Sequence, residues 1–337
     1  MTAGSGDISW GVEYDAKRGQ YEELRGEVEF ALRRALEGIN THNIVVRLKD
    51  RKSFIEKIER KSYDDPFGQM PDIVGARVVC RFLDDITLVD STVREIFTVA
   101  KVEDKTASAA PETFAYRSVH YECRIRDDNK GPHYDSIKEI TFEIQVRTIL
   151  QDAWAVVEHA LAYKGLSSIP PELRRDFSAL VGLFHIADKS FQQLRYDVEK
   201  SERKATEVVG TTSERGDDSA EATNSITLDR GIVKAVLTQK FPDHDRSDDL
   251  DYSALVDELS AAKIHTLGDL SQALGLDANQ LNDLFELEIR NGPYPDDDGN
   301  PSERFSDVGF LRFMLSQTNP EFKKMRGRSR RTIWEDH

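Results

Sequence analysis

The sequence predicts an α+β protein, a sheet flanked by helices, followed by a second, small all-helical domain. Three observations predict it. Residues 139–148 alternate without a miss, with Ile140, Phe142, Ile144 and Val146 pointing one way and Thr141, Glu143, Gln145 and Arg147 the other. That is a strand with one face on a core. Residues 72–83, Asp-Ile-Val-Gly-Ala-Arg-Val-Val-Cys-Arg-Phe-Leu, are a nearly unbroken apolar run of buried-strand length. Around both lie stretches with helical periodicity.

The elements follow in order. Leu24, Val28, Ala31, Leu32, Ala35 and Ile39 mark an amphipathic helix within 12–39. A short strand, 44–49, leads through Asp50 to a helix over 54–61, for which Ser53 is the expected N-cap, with Glu56 at capping-box spacing. Seven basic residues lie between 47 and 61: Arg47, Lys49, Arg51, Lys52, Lys57, Arg60 and Lys61. A strand running into a capped helix start, lined by cations, suits a polyphosphate. A solvated basic helix explains the same cluster equally well.

Within the 72–83 run, Asp72 sits at the mouth, Gly75 permits close approach, and Arg77 is a charge that needs a partner or a ligand. A helix from Asp85 and a strand near 98–104 come next. Residues 116–126 alternate again, with Val119, Tyr121, Cys123 and Ile125 on one side and Tyr116, Ser118, His120, Glu122 and Arg124 on the other. The central strand at 139–148 is followed by a helix over 149–164, with Leu150, Trp154, Val157 and Leu161 on one face. Phe177, Leu180, Phe184, Ala187, Phe191, Leu194 and Val198 form a heptad seam. It packs back on the domain or serves a homo-oligomer through helix 177–198. The predicted domains are 1–206, a linker at 207–226 and a helical region at 227–337. In that region Ser253, Thr266 and Asp277 are the expected helix caps.

The bulk numbers narrow the function. The net charge of −15 excludes a general nucleic-acid binder, and residues 211–320 hold most of it. The basic tail, Lys323 to Arg331, is expected to be disordered. Asp296-Asp297-Asp298-Gly299 reads as a turn, since the further ligands of a calcium loop are missing. Cys80 and Cys123 sit in strand-like runs and read as packed thiols. No apolar run reaches membrane-span length, and the first residues have no signal-peptide pattern, so the expected place is the cytoplasm.

Four motifs in this order resemble the synthetase domain of the RelA/SpoT family: Arg-x-Lys-x-x-x-Ser-x-x-x-Lys at 47–57, Asp-Ile-x-Gly-x-Arg at 72–77, Tyr-Arg-Ser-x-His at 116–120, and Glu-Ile-Gln-x-Arg-Thr with Ala-Trp-Ala-x-x-Glu-His-x-Leu-x-Tyr-Lys over 143–164. The resemblance covers roughly 12–200. It implies a nucleotidyltransferase-like mixed five-stranded sheet flanked by helices. It also implies transfer of pyrophosphate from ATP to the 3′-hydroxyl of GDP or GTP, making guanosine tetra- or pentaphosphate.

The resemblance assigns roles residue by residue. Asp72 and Glu143 match carboxylates that bind Mg²⁺, and Glu143 also matches the base. Arg47, Lys49, Ser53, Lys57 and Arg60 match the donor-phosphate cradle. Arg47 and Arg77 match the pair around adenine, Tyr116 matches a ring stacked on guanine, and His120 and Gln145 match supporting donors. Asp152 stands near the acceptor nucleoside. Two positions depart from the pattern: Ala115 replaces a common Gly, and Asp152 a common Asn or His. Both lie on the acceptor side, so the 3′ end of tRNA stays open as an alternative acceptor, with tail contacts the route to it. A catalytically inactive nucleotide-binding regulator is the remaining alternative. No hydrolase motif precedes the first of these segments, and synthesis without built-in degradation is expected. The acidic second domain either docks over or beside the basic cradle and restrains synthesis, or is an independent helical domain whose acidity keeps it soluble.

Overall fold

The computed structural model describes residues 5–104, 118–161, 170–214, 223, 225–275, 278–291, 294–295, 301–302 and 305–325. It divides into two compact units, Met1–Leu194 and Arg195–His337.

The first unit is built on a five-stranded sheet. Its elements are α1 (Ser5–Ala35), β1 (Thr41–Leu48), α2 (Arg51–Lys61), β2 (Val74–Cys80), α3 (Leu83–Ile96), β3 (Phe97–Asp104), β4 (Val119–Ile125), β5 (Phe142–Thr148) and α4 (Ile149–Leu161). The long α5 (Arg174–Glu214) starts in this unit. The strand order is β1-β2-β5-β4-β3. Only β2 and β5 run parallel; the other pairs are antiparallel. This is the mixed sheet that the resemblance implies.

The alternation in β4 and β5 sets the two faces of the sheet. Tyr121, Cys123, Phe142, Ile144 and Val146 are buried together with Ala76 and Val78 of β2. Helix α1 packs on this face through Leu24, Val28 and Leu32, and Val89 and Val93 of α3 join the same core. The opposite face is open, and register places its polar residues in rows. Arg47 pairs with Gly75, and Gly75 with Glu143. Arg77 pairs with Gln145, and Gln145 with His120.

Three expectations in this unit need correction. Asp50, not Ser53, caps α2: its carboxylate accepts from the Ser53 backbone N–H at 2.9 Å and from the Ser53 hydroxyl at 2.6 Å. A carboxylate outcompetes a hydroxyl as acceptor, and the helix starts at Arg51. On α4, Trp154 is buried, but Val157 and Leu161 of the expected stripe are exposed. On α5 the heptad seam is covered only at its start, where Phe177 and Phe184 pack against Trp154. Phe177, Val181, Asp188 and Gln192 are buried, while Leu180, Phe191 and Leu194 are exposed. Two polar pairs explain the choice. Thr148 Oγ1 donates to Asp188 at 2.6 Å, and Gln192 exchanges hydrogen bonds with Asp84.

The second unit is helical, with α6 (Arg230–Lys240), α7 (Asp249–Ala261), α8 (Leu267–Ala273), α9 (Ala278–Asn291) and α10 (Asp307–Thr318). One two-residue strand pair, Tyr294–Pro295 with Pro301–Ser302, departs from the all-helical expectation. Thr266 caps α8 in a capping box with Asp269, as expected. Ser253 is no cap: Asp248 starts α7, and Ser253 lies inside it. Asp277, Asp296–Gly299 and Arg326–Arg331 lie outside the described residues.

The boundary between the units falls inside α5, not at 206. Residues 207–214, where composition predicts linker, continue the helix. Ala205 and Val209 are buried in the core of the second unit, and that packing overrides the weak propensities of Val, Gly and Thr.

Candidate active site

The open face of the sheet carries the site. β1 ends at Leu48, and the Lys49 backbone N–H donates to Ile73 O at 2.8 Å. This bond holds the start of α2 beside the turn that bears Asp72. Asp72 sits at φ −82°, ψ 17°, where the helical turn Pro71–Ile73 opens into β2. Its Oδ1 accepts from Lys57 Nζ at 2.7 Å, and its Oδ2 lies 3.0 Å from Lys49 Nζ. Burial pushes this carboxyl up, but Lys57 and Lys49 pull harder, so it lies below the usual carboxylate range.

Glu143 lies across the cleft on β5. Its Oε1 meets His120 Nδ1 at 2.8 Å, and its Oε2 accepts from Gln145 Nε2 at 2.7 Å. Burial raises this carboxyl, the hydrogen bond and charge of His120 lower it, and nearby Asp72 raises it again. The net result is below the ordinary value. The other ring nitrogen of His120 meets Ser118 Oγ at 2.7 Å.

Arg47, Asp72, Arg77, Glu143 and Gln145 line one cleft of about 160 Å³ with Val45, Gly75 and Ala76. Gly75 keeps it open, because a Cβ there would meet only the Asp72 carbonyl, at 3.9 Å, and would fill space. Lys49, Lys57 and His120 join through the contacts above. Ser53 and Arg60 lie one turn either side of Lys57 on α2; they do not line the cleft, and the Ser53 hydroxyl is committed to Asp50.

Arg77 has the partner its apolar setting demands. Its Nη1 lies 3.2 Å from Asp152 Oδ1, and Arg147 Nη1 lies 3.4 Å from the same oxygen. Arg147 was not among the residues expected at the site. The alternation of β5 places it on the face of Glu143 and Gln145, yet periodicity says nothing of its burial. It is buried, and it also donates to Gln145 Oε1. Burial and the neighbouring Arg77 lower its pKa. Ser118 is the other residue missed; its place two residues before His120, on the same strand face in Tyr-Arg-Ser-x-His, was the available signal. Tyr116 lies outside the described residues.

The donor set fits a hard divalent cation. Two carboxylates face one cleft, and Asp72 is close enough to raise the Glu143 carboxyl. Among the described residues no group of three or more His, Cys, Asp or Glu could hold a metal ion. Two carboxylates completed by substrate phosphates are the usual setting for Mg²⁺. Among the described residues no helix is long and apolar enough to cross a membrane.

The stretch that carries this cleft is similar to known proteins. Residues 46–167 match the family model described as the region found in RelA / SpoT proteins. The GTP pyrophosphokinase YjbM of Bacillus subtilis (strain 168) is 28% identical over 186 residues, 54% of this chain and 79% of that protein. The GTP pyrophosphokinase YwaC of the same organism is 27% identical over 171 residues, 48% of this chain and 79% of that one. The crystal structure of the small alarmone synthetase 1 from Bacillus subtilis is similar at 26% identity and TM-score 0.46, covering 56% of this chain and 98% of that chain.

Proposed function

We infer that this chain, which carries a RelA/SpoT-family domain over residues 46–167, is a guanosine tetra- and pentaphosphate synthetase that moves pyrophosphate from ATP to the 3′-hydroxyl of GDP or GTP. The observation that carries this reading is one cleft holding Asp72 and Glu143 between the cations of β1, β2 and α2. A site built from two carboxylates and fixed cations suits in-line phosphoryl transfer, where positioning and charge do most of the work.

In this reading Arg47, Lys49, Lys57 and Arg60 hold the triphosphate of the donor, with Ser53 supporting the loop through Asp50. Arg47 and Arg77 flank the adenine, and guanidinium planes suit that contact. Glu143 takes the proton of the acceptor hydroxyl. The new bond joins the 3′ oxygen to the β-phosphorus, the bridge between the α- and β-phosphates breaks, and AMP leaves. Asp72 and Glu143 would hold Mg²⁺, which supplies charge neutralisation and Lewis acidity at the phosphates. His120 and Gln145 orient Glu143, Tyr116 is the ring for guanine, and Asp152 stands on the acceptor side.

The test is incubation with γ-labelled ATP plus GDP, GTP or bulk tRNA. Label is expected on GDP or GTP. Label on tRNA alone, or on no acceptor, overturns the reading.

Three further proposals concern the chain as a whole. The exposed apolar seam of α5 supports a homo-oligomer. The charge contrast between residues 47–61 and the acidic second unit supports docking as a restraint on synthesis, for which removal of that unit should raise activity most at low salt. The nucleotide substrates of this reading place the work in the cytoplasm.

A further inference from the structure

We propose that Lys49 and Lys57 latch Asp72, so that a divalent cation is admitted to this carboxylate only together with the polyphosphate of the donor. The proposal rests on the reading of Asp72 as a metal carboxylate.

Asp72 is fully engaged. Lys57 takes Oδ1 at 2.7 Å and Lys49 takes Oδ2 at 3.0 Å. The three side chains retain only 19%, 20% and 13% of their exposure, so solvent screens these pairs less than it screens surface pairs. A dication approaching Asp72 meets two ammonium charges already on the carboxylate. Like charges this close repel strongly where solvent screening is weak. Each oxygen already carries an ammonium group, so a cation that ligates either one must displace or crowd a lysine.

Glu143 differs in kind. Its Oε2 partner is a neutral amide, Gln145, and its Oε1 partner is an imidazole. The amide moves aside without charge repulsion, which leaves one oxygen of Glu143 accessible, whereas both oxygens of Asp72 carry an ammonium group, so Asp72 is the more guarded ligand.

Polyphosphate is what draws the lysines away. Lys49 directly follows β1, close in sequence to Arg47, and Lys57 lies on α2 with Arg60, so the competing anion belongs on the same side. A lysine stem is flexible and carries a point charge, and it can swing from a carboxylate to a phosphate a few ångströms away. The exchange couples two ligands: polyphosphate removes the latch, and the cation then bridges the freed carboxylate and the phosphates. By linkage, each strengthens the other.

The test uses the full chain and Mn²⁺, whose free ion is read by electron paramagnetic resonance. Without nucleotide, Lys57→Gln is expected to bind Mn²⁺ about tenfold more tightly than wild type, and adding Asp72→Asn should erase the gain. Lys49→Gln should act in the same direction, which keeps the test open if one variant folds poorly. Lys57→Arg, which keeps the charge, should stay within about twofold of wild type. If folded Lys57→Gln or Lys49→Gln binds Mn²⁺ no better than wild type, the latch is overturned. Failure of the underlying reading looks different. With saturating methylene-bridged ATP analogue, Asp72→Asn would then leave Mn²⁺ affinity unchanged.

Discussion

Asp152 Oδ1 lies between two guanidinium groups, 3.2 Å from Arg77 and 3.4 Å from Arg147. One of these arginines is on the cleft and the other is buried beneath it. The carboxylate at 152 therefore offsets a charge pair that the sheet itself creates. Arg77 sits beside Arg147 in space, because β2 and β5 are parallel and paired, with Arg77 opposite Gln145. Asp152→Asn leaves both cations without their counter-charge. Removing one partner of a buried pair is costly; with Asp152 partly exposed, the expected loss is about 1–2 kcal/mol, read as a lower urea midpoint at unchanged slope. The Michaelis constant for ATP should also shift, since Arg77 is no longer held. An unchanged midpoint would mean that solvent replaces the pair.

Glu143→Gln should reduce pyrophosphate transfer by two orders of magnitude or more, about 10²-fold or above for loss of a general base, while far-UV circular dichroism stays the same. The substitution keeps shape and removes the charge. It also changes the partner of His120 from a carboxylate to an amide. A variant retaining a large fraction of the rate would remove Glu143 from the chemistry.

Tyr116→Ala separates donor from acceptor. Base stacking on an aromatic ring is worth about 1–3 kcal/mol, so the Michaelis constant for GDP and GTP should rise about tenfold or more, with little change for ATP. Equal shifts for both nucleotides would place the ring elsewhere.

The two cysteines give a test of burial. Cys80 and Cys123 are both buried on the core face of the sheet. Desolvation, with the charge of Asp85, pushes the Cys80 thiol up to about 12; desolvation does the same for Cys123, against a smaller opposing pull from Arg94. The native protein at pH 8 should therefore resist iodoacetamide at both thiols, and the denatured protein should take up two labels. The linkage sign follows. Folded pKa values above the unfolded value stabilise the protein fully below the unfolded pKa, and this contribution is lost as pH rises through the alkaline range. Urea midpoints should fall from about pH 9 upward, and less so in Cys80→Ala. Rapid labelling of the native protein would contradict the burial.

Strand positions and faces were legible in the sequence because alternation maps directly onto a pleated sheet. The same pattern put Glu143 and Gln145 on one face of β5; that Arg47, Asp72 and Arg77 share a cleft with them follows only from the strand register. Contacts between long side chains were not legible. Nothing local tells whether Lys49 reaches a phosphate or Asp72, or that Arg147 is buried while Arg47 is exposed. Capping failed for a related reason: Asp50 and Ser53 are both good caps three residues apart, and only the helix start distinguishes them. On α5 the periodicity identified an apolar seam, but whether the seam or the adjacent stripe meets the domain depends on Asp188 and Gln192 finding Thr148 and Asp84, over 40 and 108 residues away.

That seam leads to the last prediction. Leu180, Phe191 and Leu194 of the seam are exposed, Leu194 by 58%, and Leu183 and Ile186 beside the seam are 59% and 62% exposed. Single exposed apolar residues are ordinary, but a run at helical spacing along one helix is an interaction face. Beyond Phe184 the stripe of Asp188 and Gln192 is the buried one, so folding of one chain leaves these five apolar side chains exposed. A second copy offers the same seam, and an isologous pairing along it buries both. Wild-type protein should therefore run larger than its 38.3 kDa mass in light scattering coupled to size-exclusion chromatography. Leu183→Glu with Leu194→Glu should shift it toward monomer, because two carboxylates on each copy repel and cost desolvation at the contact. Residual synthesis by the monomer would separate assembly from chemistry. A wild-type protein that is already monomeric at tens of micromolar would rule out the pairing.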